Sequence, residues 1–236
     1  SAFDGVHSVT IGGKPMDSSD VKRYRQYIEK LQKDYDSELL TLMKPNYFEE
    51  AYSGYKAILS DAELRKSISI DKDKAINLYK RISKAMGYQK YVRNKIFPML
   101  IRKIGIKACV YCNANYAIGT KDGDGFFELD HWKPESKYPF LCSSFYNLQP
   151  CCPHCNKRKS SDNNGKYLKL YEENPNADLD VFEFEIPKGC LVRYFNSQDT
   201  SQIRVKFKAK NVSLEDLRDK ANEKFGIESI YNEHID

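Results

Sequence analysis

Cys109-Val-Tyr-Cys112, Phe127-Glu-Leu-Asp-His131, Tyr146-Asn-Leu-Gln-Pro150 and Cys152-Pro-His-Cys-Asn-Lys-Arg-Lys159 follow one another in this order. Two Cys-x-x-Cys pairs bracket an Asp-His dipeptide that occurs nowhere else in the chain. Two intervening residues close a compact turn that lets both sulfurs of a pair reach one metal. Two such turns complete the tetrahedral thiolate set that Zn²⁺ prefers. The expected ligands are therefore Cys109, Cys112, Cys152 and Cys155. Cys151 and His154 are rival ligands beside the second pair, and the two-residue spacing favours Cys152. Cys142 and Cys190 read as small buried side chains. Seven cysteines is an odd number, and a disulfide framework belongs to denser, shorter secreted chains. Zinc in a reducing compartment fits better.

A four-thiolate zinc is saturated. It holds shape and has no open position at which to activate water, so any chemistry needs a second site. The segment between the cysteine pairs supplies Asp130, His131 and Asn147, and Asn156 follows the last cysteine directly. A lone histidine is more often structural or exposed than catalytic. One that follows an Asp at the end of a predicted strand, inside a zinc-stapled loop, is a stronger candidate.

Asp-His, then Asn-Leu-x-Pro, then Cys-x-x-Cys-Asn-x-x-Lys resembles the HNH endonucleases of the ββα-metal fold. The resemblance covers about residues 106–160. It implies a β-hairpin and a helix cradling one divalent ion, Mg²⁺ or Mn²⁺, beside a structural Cys₄ zinc. It implies that Asp130 and Asn156 bind that ion, that His131 is the general base, and that Asn147 holds the loop. The chain departs from the commonest family pattern, reading His-Asn-Asn where a final His is usual. The chemistry agrees. One carboxylate and one amide leave most of a Mg²⁺ coordination sphere to water and phosphate oxygens, and a neutral imidazole with a pKa of about 6.5 can take a proton from water.

Lys133 and Lys137 follow His131, while Lys157, Arg158 and Lys159 extend from the last cysteine turn. Beside this motif they read as nucleic-acid contacts, with Lys159 foremost; the bland alternative is a solvated surface. Trp132, Tyr138, Phe140 and Phe145 read as a small core under the loop.

The chain has 236 residues, a net charge of +5, 30% charged residues and a mean hydropathy of −0.67. These values describe a polar protein with enough apolar residues for a core. They are compatible with nucleic acid but do not demand it. No apolar run approaches the ~18–20 residues of a membrane helix. No basic-then-apolar signal pattern follows Ser1, so a cytoplasmic location is expected.

The expected fold is α+β in four segments: a flexible leader (1–17), a helical region (18–104), the zinc-stapled core (105–170), and a β-rich extension with a final helix (171–236). Ser18, Ser19 and Asp20 offer an N-cap, followed by Ile28, Leu31, Tyr35 and Leu39 at helical spacing. Tyr24, Tyr27, Lys30 and Lys33 read as the solvated side of that helix, or else as a docking surface. A second helix is expected over 47–59. A third starts at Asp71 or Asp73 and ends at Gly87, and a fourth covers Tyr88–Lys103, bent at Pro98. Gly119–Gly125 reads as a hairpin turn. Val181–Ile186, Cys190–Phe195 and Ile203–Lys208 read as strands. Ser213 and Asp216 offer a capping box for a final helix with Leu214, Leu217, Ala221 and Phe225 on one side.

The resemblance implies a metal-dependent endonuclease acting on DNA, with RNA the second candidate substrate. It is similar to HNH proteins of bacterial anti-phage and restriction systems, which work with a partner ATPase or sensor. Two rivals stand beside it. One is a non-catalytic zinc-finger module, which has no need of Asp-His, Asn and Asn at these offsets. The other is a secreted nuclease toxin with a helical delivery segment.

Overall fold

The structure is a computed structural model that describes residues 9–70, 73–160, 169–171 and 181–235. Helices and small antiparallel sheets are mixed, in agreement with the expected α+β class. The chain forms two compact units that are not consecutive stretches. Unit 1 comprises Ser1–Phe97 and His131–Gln149; unit 2 comprises Pro98–Asp130 and Pro150–Asp236.

Unit 1 opens with β1 (Val9–Ile11) and β2 (Lys14–Pro15), which join β3 (Ser67–Ile70) and β4 (Ile76–Asn77) in a sheet of order β2-β1-β3-β4. The expected flexible leader is thus corrected over 9–15, where Val9 and Ile11 pair with Ile70 and Ile68; residues 1–8 lie outside the described residues. Helix α1 (Ser18–Asp36) is capped by Asp17, not by the serines that follow it, and the Asp17 carboxylate accepts from the Asp20 amide at 2.8 Å. Its buried stripe is Tyr24, Tyr27 and Leu31, whereas Tyr35 and Leu39 are exposed. The tyrosines expected on the solvated side are therefore core residues. Tyr is amphipathic, and its ring carries a large apolar area. Tyr27 lies 5.1 Å from Tyr55, which stacks on Phe140 at 4.3 Å.

Helix α2 (Phe48–Lys56) buries Phe48, Tyr52 and Tyr55 at helical spacing. The short α3 (Asp61–Leu64) starts with a capping box between Ser60 and Glu63. The third expected helix starts late: Ile76 belongs to β4, α4 covers Leu78–Ala85, and Gly87 ends it at φ +68°. The Asp71 start lies outside the described residues. Tyr88–Ile96 is π-helical and runs into α5 (Phe97–Ile104), so Pro98 marks a change of winding, two residues into the new helix where a missing N–H is tolerated. The unit 1 core joins α1, α2 and α4 to Tyr138, Phe140 and Leu141.

Unit 2 contains the hairpin β5 (Ile118–Gly119) and β6 (Gly125–Phe126), with Gly123 at φ +87° in the expected turn. β7 (Glu128–His131) and β8 (Leu148–Cys151) pair with each other, the division between the units falling at 130–131 and 149–150 within them, and α6 (Pro153–Lys159) follows in unit 2. β9 (Phe182–Glu185) pairs with β10 (Lys206–Ala209), as two of the three expected C-terminal strands do. The third is overturned: Cys190–Phe195 lies in α7 (Lys188–Ser197). Only Cys190, Leu191 and Tyr194 are shielded in that segment, a helical spacing, while Val192 and Phe195 are exposed. The last expected helix is two, α8 (Glu215–Phe225) and α9 (Ile227–Glu233), divided by Gly226 at φ +67°. Ser213 does not cap α8; it lies in a 3-10 turn, and its hydroxyl bonds Asn211. The unit 2 core gathers Phe207, Ala221, Phe225 and Ile227 around Cys109, Cys112, Cys151, Cys152 and Cys155.

Candidate functional site

The four sulfurs of Cys109, Cys112, Cys152 and Cys155 lie within 4.8 Å of one another, and all four residues are buried. A tetrahedral Zn–S₄ site places sulfurs about 3.8 Å apart. The donor set and its compactness fit Zn²⁺. Cys151 and His154 are not part of the cluster: the Cys151 thiol turns to the Glu128 carbonyl at 3.6 Å, and His154 is exposed.

The backbone builds the cluster. Asn113 takes φ +52° and donates to the Cys109 carbonyl at 2.9 Å, while the Cys109 amide donates to the Asn115 carbonyl at 2.8 Å. That turn aims the Asn115 amide at two sulfurs, Cys152 at 3.6 Å and Cys112 at 3.8 Å. The Val110 amide reaches the Pro150 carbonyl at 3.3 Å and ties the two cysteine turns together. Thiols this close compete for the same protons. Donation from Cys109 lowers Cys112 well below the ordinary thiol value and lowers Cys152 to about 6, while Cys109 and Cys155 are pushed up. Thiolate is the form that ligates a metal.

Strand periodicity places Glu128 and Asp130 on one face of β7. Two residues of α6 three apart, Asn156 and Lys159, meet them. The Asn156 amide donates to the Glu128 carboxylate at 2.5 Å. The Lys159 ammonium stands 3.0 Å from both oxygens of Asp130, and the Tyr111 hydroxyl donates to one of them at 2.5 Å. Asp130 and Lys159 are 3% and 1% exposed. Lys159 was the foremost expected phosphate contact; it is a buried partner of Asp130 instead. Tyr111 and Lys159 fill three of the roughly four acceptor positions of that carboxylate. Glu128, Asp130 and Asn156 carry oxygen donors of the hard kind that Mg²⁺ or Mn²⁺ takes, but both carboxylates are already engaged, Glu128 by the Asn156 amide and Asp130 by Lys159 and Tyr111. Glu128 and Tyr111 escaped the sequence reading. The Glu-Leu-Asp alternation was the available signal for Glu128; nothing local marked Tyr111.

In unit 1, His131 is half-buried, and its Nε2 lies 3.0 Å from the Cys142 carbonyl oxygen. A carbonyl only accepts, so Nε2 carries the proton, and Nδ1 is the basic nitrogen of the neutral ring. The Tyr88 ring lies against the imidazole, centroids 4.7 Å apart. Asn147 is fully buried and binds the loop at three points. Its Oδ1 accepts from the Lys133 amide at 2.7 Å, and its Nδ2 donates to the carbonyls of Lys133 at 3.1 Å and Leu141 at 3.2 Å. The Trp132 amide also reaches the Asn147 carbonyl at 2.9 Å. These bonds fix the backbone on both sides of the segment that carries the Cys142 carbonyl.

The other expected nucleic-acid contacts separate. Lys157 and Arg158 are exposed on α6. Lys133 pairs with Glu49 at 2.6 Å, and Lys137 lies over the Tyr52 ring at 4.8 Å. Burial pushes the Glu49 carboxyl up, but the Lys133 hydrogen bond and charge hold it below its ordinary value. Of the expected aromatic core under the loop, Tyr138 and Phe140 are fully buried, while Trp132 and Phe145 are half-buried.

Residues 109–162 match the family model of the HNH endonucleases. Over 83 residues the chain is 29% identical to the Septu protein PtuB of Bacillus thuringiensis, an alignment that takes in 35% of this chain and 30% of that protein. The aligned part is thus under a third of that relative's length. No solved structure matches.

Proposed function

We propose that this chain is a metal-dependent HNH endonuclease that hydrolyses phosphodiester bonds in DNA. The observation that carries the reading is the imidazole of His131, oriented by the Cys142 carbonyl at 3.0 Å so that Nδ1 is its basic nitrogen. Water's oxygen bonds to phosphorus, its proton passes to Nδ1, and the bond to the 3′ oxygen breaks. Asp130 and Asn156 would hold one divalent ion, with Glu128 beside them. That ion supplies charge neutralisation at the phosphate and at the leaving oxygen. Lys159 keeps the Asp130 carboxylate in place, and Asn147 keeps the loop that carries the Cys142 carbonyl. Lys157 and Arg158 are the phosphate contacts on α6. The cysteine cluster holds Zn²⁺ for shape alone.

The relation to a Septu protein supports a setting in bacterial anti-phage defence, with a partner ATPase or sensor. A non-catalytic zinc module is the second reading, and an imidazole whose tautomer is fixed by a backbone carbonyl argues against it. The test is cleavage of supercoiled plasmid with Mg²⁺ or Mn²⁺. His131→Ala should melt like the parent and cleave at least about a hundredfold more slowly. The reading fails if the zinc-loaded parent leaves plasmid, linear DNA and RNA intact, or if His131→Ala cleaves as fast.

A further inference from the structure

Between Lys74 and Lys121 the chain has no Asp or Glu, yet it carries eleven Lys and Arg. With a net charge of +5 overall, the rest of the chain is net negative. In unit 1 this acid-free stretch includes the π-helical segment Tyr88–Ile96. Lys90, Tyr91 and Lys95 are exposed there, Tyr91 at 48%. Both ammonium groups lie over the one tyrosine ring, Lys90 at 5.0 Å and Lys95 at 5.7 Å.

The winding makes this possible. In an α-helix, residues five apart are turned about 140° from each other. The i→i+5 bonding of a π-helix brings them onto one face. Lys90 and Lys95 therefore flank Tyr91 as a cation–aromatic–cation unit. Among the described residues neither ammonium is paired with a carboxylate. The segment's first residue is Tyr88, whose ring lies 4.7 Å from that of His131. One short helix thus touches the imidazole at its start and presents the charged unit further along.

We propose that the π-helical segment 88–96 is a docking surface for the sugar–phosphate backbone of a nucleic acid, an inference that rests on the nuclease reading for the identity of the anion. Lys90 and Lys95 bind successive phosphates, and Tyr91 gives the strand a stacking face between them. Tyr88 is a positioning residue that fixes where this track meets His131. An acidic peptide would satisfy the two charges but would leave the aromatic face unused. A lipid headgroup surface would have no reason to lie beside an oriented imidazole.

Binding separates this proposal from catalysis. Full-length, zinc-loaded His131→Ala protein is titrated by fluorescence anisotropy against a labelled duplex and a labelled single strand over a range of salt. The same is done in that background with Lys90→Gln/Lys95→Gln, with Lys90→Glu/Lys95→Glu and with Tyr91→Ala. All positions are exposed, so the melting temperature should not change, and circular dichroism checks this. The double Gln variant should flatten the slope of log affinity against log salt by roughly 2. The double Glu variant should lose at least about tenfold in affinity, and Tyr91→Ala should weaken the single strand more than the duplex. Unchanged affinity and slope in both double variants overturn the proposal. So does a protein that ignores both nucleic acids, or that binds phosphatidylserine vesicles instead. A protein that binds DNA through these lysines but never cleaves it would sink the nuclease reading and leave the surface standing.

Discussion

Asp130 and Lys159 are a buried ion pair at the centre of the motif, with Tyr111 as the third member. Such pairs are costly to halve and cheap to remove whole, because a single deletion leaves an uncompensated charge in the interior. Lys159→Met should therefore destabilise the protein by about 3–5 kcal/mol in urea unfolding. Adding Asp130→Asn to it should restore much of that loss. If the double variant is as unstable as the sum of the two singles, the pair is not coupled as the structure has it. Lys159 also marks a limit of reading residues from sequence. Lys157, Arg158 and Lys159 look alike as a basic run, yet two are exposed and one is buried. The rotation of α6 decides this, and a seven-residue helix of polar residues carries no apolar stripe from which to read its rotation. The cysteine cluster was legible because metal ligation imposes spacing directly on the chain. The tyrosines of α1 were not, because a Tyr at helical spacing serves a core or a surface equally well.

At the scale of elements, the close approach of β5 to α5 is the tightest constraint. A Cβ on Gly119 would stand 1.9 Å from the Pro98 carbonyl oxygen and 3.2 Å from the Arg102 nitrogen. Backbone cannot yield as a flexible side chain does, so the strand would have to move. Gly119→Ala should cost about 1–3 kcal/mol, read as a lower urea midpoint at constant slope. An unchanged midpoint would show that the two elements separate freely. Long amphipathic elements such as α1 and α2 were legible in outline. Short ones were not: β1 and β3 have three and four residues, and their pairing is between stretches far apart in the chain. No local periodicity reports such a partner. The α7 segment was misread because Cys190–Phe195 mixes aromatic and β-branched residues, which favour strands in isolation. The shielded positions, spaced as on a helix, override that preference.

At the scale of the molecule, two cores stand out among the described residues, and one of them is built on cysteines. The apolar residues of unit 2 surround the four thiols, while unit 1 has an aromatic core of its own. Binding of a structural zinc contributes about 10–16 kcal/mol in small zinc domains near neutral pH. Stripping metal with a chelator should therefore release amide protection along the 109–117 turn and α6, while α1 and α2 stay protected in hydrogen exchange. Cys109→Ser should reproduce the pattern. Full protection of α6 in metal-free protein would mean that the thiols need no ion. The cysteine set and the family resemblance were legible, since their residues sit in one continuous stretch. The division into units was not, since it depends on which core each segment joins.

The chain passes between the units at 97–98, 130–131 and 149–150. A boundary drawn around the recognisable motif would cut out Phe140 and Leu141 together with the cysteines, yet these two side chains belong to the core that Tyr27 and Tyr55 build. For a gene, this means that the motif is not a portable cassette. Recombination that moved residues 109–162 into another protein would carry the ligands along and leave behind the hydrophobic partners of the loop between them.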